Sequence, residues 1–477
     1  MNAIPLVVDL DGTLINTDTL HESVLRVLRD APLDILRIPY WLSRGKAELK
    51  RCVADRVSFD AAHLPYNQAL LNWLQEQRAA GRKLILCTAS DHGFAQAIAT
   101  HLGVFDEVMA SDGKTNLAGS NKAQALVQRF GAQGFDYAGN SSADLSVWKS
   151  ARHAILVNAA PSIDKQARAL CQVEQVFPPQ SRSLTDWRRV LRVHQWMKNL
   201  LLFVALFASH ELGNGKAWQA LVVAFISFSL CASSVYIAND LFDLESDRQH
   251  PRKRRRPFAS GRVPVWMGVV LAPVLLLISV VLAWQVGHDF LFWMMFYFML
   301  TCGYSWGLKR LVLVDCLALA VLYTLRIVAG AAAADLGLSM WLLAFSVFLF
   351  LSLAFVKRYA ELQVQHEQGK DKAHGRGYYT SDASLIQTLG ITSGYASVVI
   401  LALYLNSSAV IQLYRTPEIV WGTVPAMLFW VSWMWLRAHR GEMHDDPVLF
   451  AIKDKPSLAA GAVFALMLLL ATLDWAK

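Results

Sequence analysis

Apolar and polar positions are arranged in two unlike ways along this chain. Up to about residue 186, charges are spread throughout and short apolar runs alternate with longer mixed stretches, as in a water-soluble α/β domain. From about residue 195 onward, long apolar runs are broken only by short charged loops. A hydropathy window gives about nine runs near the roughly 20 residues a bilayer requires: 197–211, 217–238, 264–286, 289–308, 312–333, 339–359, 385–406, 418–437 and 457–475, the first being short. The pattern therefore predicts an N-terminal α/β domain followed by an all-α polytopic membrane domain of about nine transmembrane helices. Prolines and polar residues at Phe177-Pro178-Pro179-Gln180-Ser181-Arg182-Ser183 break the periodicity. They set a soluble domain at 1–177, a linker at 178–186 and a membrane domain at 187–477, and no internal repeat stands out.

The net charge of +8 over 477 residues is unevenly placed. The loop 239–263 carries Arg248, Arg252, Lys253, Arg254, Arg255, Arg256 and Arg262, and the loops starting at Lys309, Lys357 and Arg437 are also basic. Intervening loops hold little beyond Lys216 and Arg415. This alternation is the positive-inside signal, which places the soluble domain and the charged loops in the cytoplasm and the carboxyl terminus outside a cytoplasmic (inner) membrane. Basic groups confined to membrane-helix ends argue against nucleic acid as a partner. Met1–Leu10 reads as a short strand entering a motif rather than a secretory signal. The six cysteines lack metal spacing and read as reduced packing residues.

In the soluble part, the apolar run at 4–8 reads as a buried parallel strand with Asp9-Leu10-Asp11-Gly12-Thr13 at its carboxyl end, the edge where open α/β sheets bind ligands. Two aspartates so spaced can divide labour as nucleophile and as general acid then base. A second strand at 83–87 ends in Thr88-Ala89-Ser90, Lys122 follows in Gly119-Ser120-Asn121-Lys122, and a third strand ends in Gly139-Asn140-Ser141-Ser142-Ala143-Asp144. In that order these elements resemble the haloacid dehalogenase-like phosphatases, over about residues 4–160. The resemblance implies a Rossmannoid domain with Asp9 as nucleophile, Asp11 as acid/base, and Thr88 and Lys122 on the phosphoryl group. It also implies Mg²⁺ held by Asp9, Asp11, Asn140 and Asp144. Asn140 stands where an aspartate is usual, so one negative charge is lost and weaker Mg²⁺ affinity is expected. Residues 16–80 read as an inserted helical cap. Its apolar stretch at 33–42, with Trp41 and Leu42, is of a kind that dips into a membrane interface.

The membrane part carries Asn239-Asp240-Leu241-Phe242-Asp243-Leu244-Glu245-Ser246-Asp247, followed at once by His250-Pro251-Arg252-Lys253-Arg254-Arg255-Arg256-Pro257. Asp240, Asp243 and Asp247 stand at i, i+3 and i+7, one face of a helix. Unpaired carboxylates there would repel, and at a membrane edge such a cluster points to function. Oxygen ligands suit Mg²⁺ carrying a diphosphate, and the adjacent Arg and Lys suit further phosphates. With the helices, this cluster resembles the UbiA-like intramembrane prenyltransferases over about residues 185–477.

A second acidic motif common in that superfamily is reduced to Asp315 after Tyr304-Ser305-Trp306-Gly307-Leu308-Lys309-Arg310. With the segments at 192–199, 325–330 and 357–362, the chain looks like the polyprenyl-phosphate phosphoribosyltransferase branch. That resemblance implies phosphoribosyl diphosphate and a polyprenyl phosphate as substrates, with Asp240, Asp243 and Asp247 holding Mg²⁺ on the leaving diphosphate. Asn239 assists, and Lys198, Lys253, Arg254, Arg256, Tyr304, Lys309, Asp315, Arg326, Lys357 and Arg358 form the remaining binding set. A cation at Arg326, inside a membrane helix, calls for an acid such as Asp315 or Asp335, or a phosphate. His250 reads as structural or phosphate-contacting. The product would keep a terminal phosphate that the attached phosphatase can remove. The competing readings are prenyl transfer to a ring acceptor and a non-catalytic soluble module.

Overall fold

The computed structural model describes residues 4–57, 60–181, 183–209, 211–371, 376–407, 410, 414–443 and 446–472. The chain forms two compact units, one of residues 1–191 with 236–272 and the other of residues 192–235 with 273–477.

The first unit is built on six parallel strands: β1 (Leu6–Val8), β2 (Leu84–Asp91), β3 (Glu107–Ser111), β4 (Asp136–Gly139), β5 (His153–Val157) and β6 (Gln172–Phe177). Their order is β3-β2-β1-β4-β5-β6. Side chains alternate across the sheet. Leu6, Val8, Leu84 and Leu86 join one apolar cluster, while Val7, Ile85, Cys87 and Tyr137 join the other. A strand buried on both faces must be apolar throughout, which is why β1 and the start of β2 read as unbroken runs. Val8 pairs with Leu86 on one side and Ala138 on the other. That register brings the carboxyl ends of β1, β2 and β4 to the same edge.

Between β1 and β2 lies the helical insertion. Helix α1 (Thr19–Asp30) starts at Asp18, whose carboxylate accepts the His21 N–H at 3.0 Å, an N-cap bond. After it come a 3₁₀ turn (Pro32–Arg37) and the helices Ile38–Ser43 and Lys46–Ala54. Val27, Trp41, Leu49 and Val53 give this cap a small core of its own. Trp41 is thus buried, with the Arg56 guanidinium 4.5 Å from its ring centre. The expected interfacial role of Trp41 is corrected accordingly, whereas Leu42 is exposed. The helix Gln68–Ala79 packs into the sheet layer through Leu70, Leu71 and Leu74.

Residues 236–272 complete this unit. Helix α2 (Gly215–Phe242) ends here, Asp243 breaks the helix, α3 (Leu244–Gln249) and a turn at Lys253–Arg255 follow, and α4 (Val265–Val286) leaves. The acids therefore lie on two helices joined at Asp243 rather than on one. The buried Arg248 guanidinium donates to both Glu22 oxygens, at 2.8 and 2.6 Å, and to the Ala259 carbonyl at 3.0 Å. Arg26 lies 3.5 Å from Glu245, and Arg29 donates to the Phe242 carbonyl at 3.1 Å.

The second unit is helical. Among the described residues, six helices can cross a membrane by length and apolarity: α2, α4, α6 (Val314–Ala333), α7 (Met340–Glu367), Thr380–Leu405 and Pro417–His439. A seventh is added if Pro447–Lys453 and Lys455–Ala471, bent by 82°, form one span. The expected nine is corrected to six or seven. The first expected span is a 3₁₀ segment leading to a five-residue helix. The fourth, α5 (His288–Trp306), is diluted by His288, Asp289 and tryptophan and tyrosine side chains. Residues 210 and 473–475 of the expected spans lie outside the described residues. Helix α6 is apolar all round: Cys316, Ala320, Tyr323 and Ile327 face one core cluster, Leu322, Leu325, Ala329 and Ala333 another. Its two charged residues, Asp315 and Arg326, are therefore both interior.

Candidate active sites

At the carboxyl edge of the sheet, the Asp9 N–H donates to the Ala138 carbonyl at 3.0 Å, fixing the β1 end against β4. Lys122, near the start of the helix Ser120–Phe130, places Nζ 2.7 Å from Asp9 Oδ1 and 2.8 Å from the Tyr137 hydroxyl. Tyr137 in turn donates to Asp144 Oδ1 at 2.7 Å. Burial alone would pull the Lys122 ammonium down, but the carboxylates of Asp9 and Asp144 outweigh it and keep this buried lysine charged. Asp11 accepts the Thr19 N–H at 2.8 Å and the Ser90 hydroxyl. Burial, aided by the Asp18 carboxylate, pushes Asp11 up to about 7, against the hydrogen bonds from Ser90 and Thr19. A carboxyl that holds its proton near neutrality suits protonation of a leaving oxygen. Thr88 is buried on β2, and its Oγ accepts the Ser90 N–H at 3.0 Å. A cavity of about 340 Å³ adjoins these groups, lined among others by Asp11, Thr19, Leu42, Lys50, Ser90 and Asn116.

Asn140 leans over Gly12, where φ is +74° and a Cβ would stand 3.1 Å from the Asn140 Cγ. Glycine is needed there for both the backbone conformation and the close approach. Asp9 Oδ2 lies 3.5 Å from the Thr13 hydroxyl, and Asp9 and the Asn140 amide offer oxygens fitting Mg²⁺. Asp144, expected as a ligand, instead accepts the N–H groups of Asn140 and Ser141 at 3.0 and 2.9 Å and the Ser141 hydroxyl at 3.0 Å. Its position is that of a brace for the turn presenting Asn140.

A second acid-rich group lies in the same unit. Arg256 Nη1 bridges Asp240 Oδ1 at 3.0 Å and Asp247 Oδ2 at 2.6 Å. Arg256, expected to grip phosphate, here links two of the expected metal ligands. Among the described residues, Asp247 Oδ1 is buried without a hydrogen-bond donor, and burial raises the Asp247 pKa despite Arg256. Asp243 is half-buried and its side chain does not cap the helix it begins. Two acids on one guanidinium, with an unsatisfied buried oxygen and Asp243 at the helix break between them, fit a divalent cation. Asn239 lies on the last turn of α2, and Lys253 and Arg254 are exposed on the following turn. His250 Nδ1 accepts the Arg252 N–H at 3.2 Å and that of Lys253 at 3.4 Å, a structural placement.

In the second unit the balance reverses at Asp446. Asp446 meets Lys198 at 2.7 Å, Lys357 at 3.6 Å and the Tyr323 hydroxyl at 3.0 Å. Burial opposes ionisation of Asp446, but the two ammoniums outweigh it and hold its carboxyl well below the usual range. Asp315 is ringed by Arg358, by Arg376 at 3.4 Å and by the Tyr378 hydroxyl at 2.5 Å. Arg376 also lies 3.3 Å from Glu361 and from the Tyr304 hydroxyl. Arg326 donates to Asn199 and the Tyr297 hydroxyl, each at 3.0 Å, and to the Leu322 carbonyl, in place of the acids first considered. Lys309 stands on the half-buried turn Leu308–Arg310.

Residues 200–473 match the UbiA prenyltransferase family. The chain belongs to that family. Residues 6–149 of this UbiA-family chain match the haloacid dehalogenase-like hydrolases, so the family's membrane domain is joined here to a hydrolase-like one. An uncharacterized protein of Sinorhizobium fredii, y4nM, is 39% identical over 97% of this chain and 90% of its own. The nodulation protein NoeC of Azorhizobium caulinodans is 36% identical over 57% of this chain and 91% of its own. The decaprenyl-phosphate phosphoribosyltransferase of Mycolicibacterium smegmatis is 37% identical over 43% of this chain and 66% of its own.

Sequence reasoning passed over Asp446, Arg376, Tyr323 and Glu361. Asp446 precedes Pro447 in the last basic loop, and an acid among helix-end cations was the available signal. Lys50, whose Nζ lies 2.6 Å from the Ala89 carbonyl, is a cap residue facing the hydrolase cavity; no spacing rule marks it.

Proposed function

We propose that this chain transfers the 5-phosphoribosyl group of phosphoribosyl diphosphate to a polyprenyl phosphate, and that its hydrolase-like domain then removes the 5-phosphate. The observation that carries this reading is the state of Asp315. Where a second metal-binding acid pair would favour an ordinary prenyl diphosphate, Asp315 is already held by Arg358, Arg376 and Tyr378, and Glu361 by the same two guanidiniums. Such a cluster suits a phosphate-rich donor rather than a second metal. The names of the mycobacterial relatives support the same choice of substrates.

In the transfer, the bond from ribose C1 to diphosphate breaks and a bond from C1 to the polyprenyl phosphate oxygen forms, releasing diphosphate. The acceptor oxygen is already anionic, so no general base is required. Asp240, Asp243 and Asp247 would hold Mg²⁺, which supplies charge neutralisation for the departing diphosphate. Lys198, Lys357, Arg376 and Tyr304 are assigned to the remaining phosphates. In the hydrolase domain, Asp9 attacks phosphorus, Asp11 protonates the leaving oxygen and then deprotonates water, and Lys122 neutralises the equatorial charge. Asp9 and Asn140 would hold Mg²⁺ there. The basic loops support a cytoplasmic position for the hydrolase domain and the acidic motif at an inner membrane.

The test uses the full chain with Mg²⁺, polyprenyl phosphate and ribose-labelled phosphoribosyl diphosphate. Label is expected to enter lipid, with Asp243→Asn lowering the rate by about 10²-fold or more. Asp9→Asn is expected to leave transfer intact while the labelled lipid keeps its 5-phosphate. Absence of labelled lipid with several acceptor lengths would redirect the reading to prenyl transfer onto a ring acceptor.

A further inference from the structure

The cap carries an apolar ridge with no cover within its own unit. Leu33 and Leu36 are 79% and 76% exposed, and Tyr40 and Leu42 are exposed beside them. Leaving several large apolar side chains together in water is unfavourable, and such a patch marks a docking surface. Its charges are arranged for a surface of a particular kind. Asp34, the acid within the ridge, is matched by Arg37 at 2.9 Å and Arg56 at 3.1 Å. Arg44 lies 4.8 Å from the Tyr40 ring centre, and Arg37, Arg44 and Lys46 are exposed. An apolar ridge rimmed by cations is the composition of a segment lying in a bilayer interface.

Position supports the same occupant. Arg29, at the end of α1, donates to the carbonyl of Phe242, the last residue of the span Gly215–Phe242. Leu33 follows four residues on, at most about 14 Å of chain from Arg29. The ridge thus begins beside the point where a membrane-spanning helix ends. At its other end, Leu42 lines the cavity that also holds Asp11, Lys50 and Ser90. One exposed side chain is therefore shared by the ridge and the catalytic cavity.

We propose that residues 32–43 seat in the membrane surface and feed the hydrolase cavity with phosphate monoesters carried by a lipid. The substrate part rests on reading the soluble domain as a phosphatase; the seating does not. A polar head bearing the phosphate would pass along Leu42 to Lys50 and Asp11 while its lipid chain stays in the bilayer. A second copy of this chain on the same ridge is the alternative occupant.

The full chain in phosphatidylcholine nanodiscs carries the test, with Leu36→Cys labelled by an environment-sensitive fluorophore and labelled wild type as the background. Quenching by nitroxide lipids, but not by aqueous iodide, is expected. Quenching by iodide alone, or shielding from both quenchers in dimers, would overturn the seating. Hexadecyl phosphate in the bilayer and p-nitrophenyl phosphate in water are then compared as substrates. Leu33→Glu combined with Leu36→Glu is expected to slow the first at least tenfold and leave the second unchanged. Equal effects on both, no effect on either, or wild-type hydrolysis of the soluble ester alone would overturn the lipid route. Hydrolysis of neither ester by wild type would instead remove the phosphatase reading, with lipid quenching still deciding the seating.

Discussion

The acid-rich sites of the first unit and the Asp446 site of the second hold their buried charges in opposite proportions. In the first, Asp240 and Asp247 share the guanidinium of Arg256, and Asp9 and Asp144 flank the ammonium of Lys122. In the second, Asp446 faces Lys198 and Lys357, while Asp315 and Glu361 together face Arg358 and Arg376. A buried charge short of its counterpart costs several kcal/mol, so an imbalance of this kind favours a ligand of opposite charge. An excess of carboxylates is corrected by a hard cation, an excess of ammonium and guanidinium groups by phosphate. Proteins handling phosphorylated substrates with a metal need both kinds of place, and this chain separates them cleanly enough to be tested one at a time.

The strongest way to break the comparison is Asp446→Asn. It removes the carboxylate shared by Lys198 and Lys357 and is expected to cost about 3–5 kcal/mol, read as a lowered melting temperature of the full chain. If the cluster awaits phosphate, saturating phosphoribosyl diphosphate or diphosphate restores most of the loss; a variant insensitive to both would mark the lysines as purely structural.

Glu22→Gln acts on the other unit, at about 3 kcal/mol, by leaving Arg248 buried without its carboxylate. Burial opposes charge on Glu22, but Arg248 more than compensates and lowers its pKa below the ordinary 4.5. The contribution is therefore complete above that value and is lost as pH falls through the lower folded value. Acid melting curves of wild type should show this loss below about pH 4.5, and those of Glu22→Gln should be flatter there. Identical pH dependence would remove Glu22 as a source of acid sensitivity.

Asn140→Asp is the gentlest change. It restores one carboxylate beside Gly12 with almost no change of shape, and should lower the Mg²⁺ half-saturation of phosphate release by about five- to tenfold, some 1 kcal/mol. An unchanged Mg²⁺ curve would place Asn140 outside the metal's ligands.

The strands carrying Asp9, Thr88 and Asn140 were legible because a buried parallel strand must be apolar on both faces and its motif must stand at the carboxyl edge. The acids at Asp240, Asp243 and Asp247 were legible because a membrane helix delivers them. Three things were not. The break at Asp243 is a local backbone choice that i, i+3, i+7 spacing does not report. The partners of Asp315 and Arg326 come from other helices, and periodicity names a face without naming its neighbour. Hydropathy also counted α5 as a span, where His288, Asp289, tryptophans and tyrosines dilute its apolar character.

Glu22 and Arg248 are 226 residues apart in sequence. A ribosome completes Glu22 long before Arg248, and the span Gly215–Phe242 lies between them. Helix α1 therefore carries an unmatched buried acid until that span has been threaded into the membrane and its following loop has returned. Insertion becomes a condition for finishing the soluble domain, so a chain stalled before the membrane leaves a hydrolase surface that is still open and recognisable as immature.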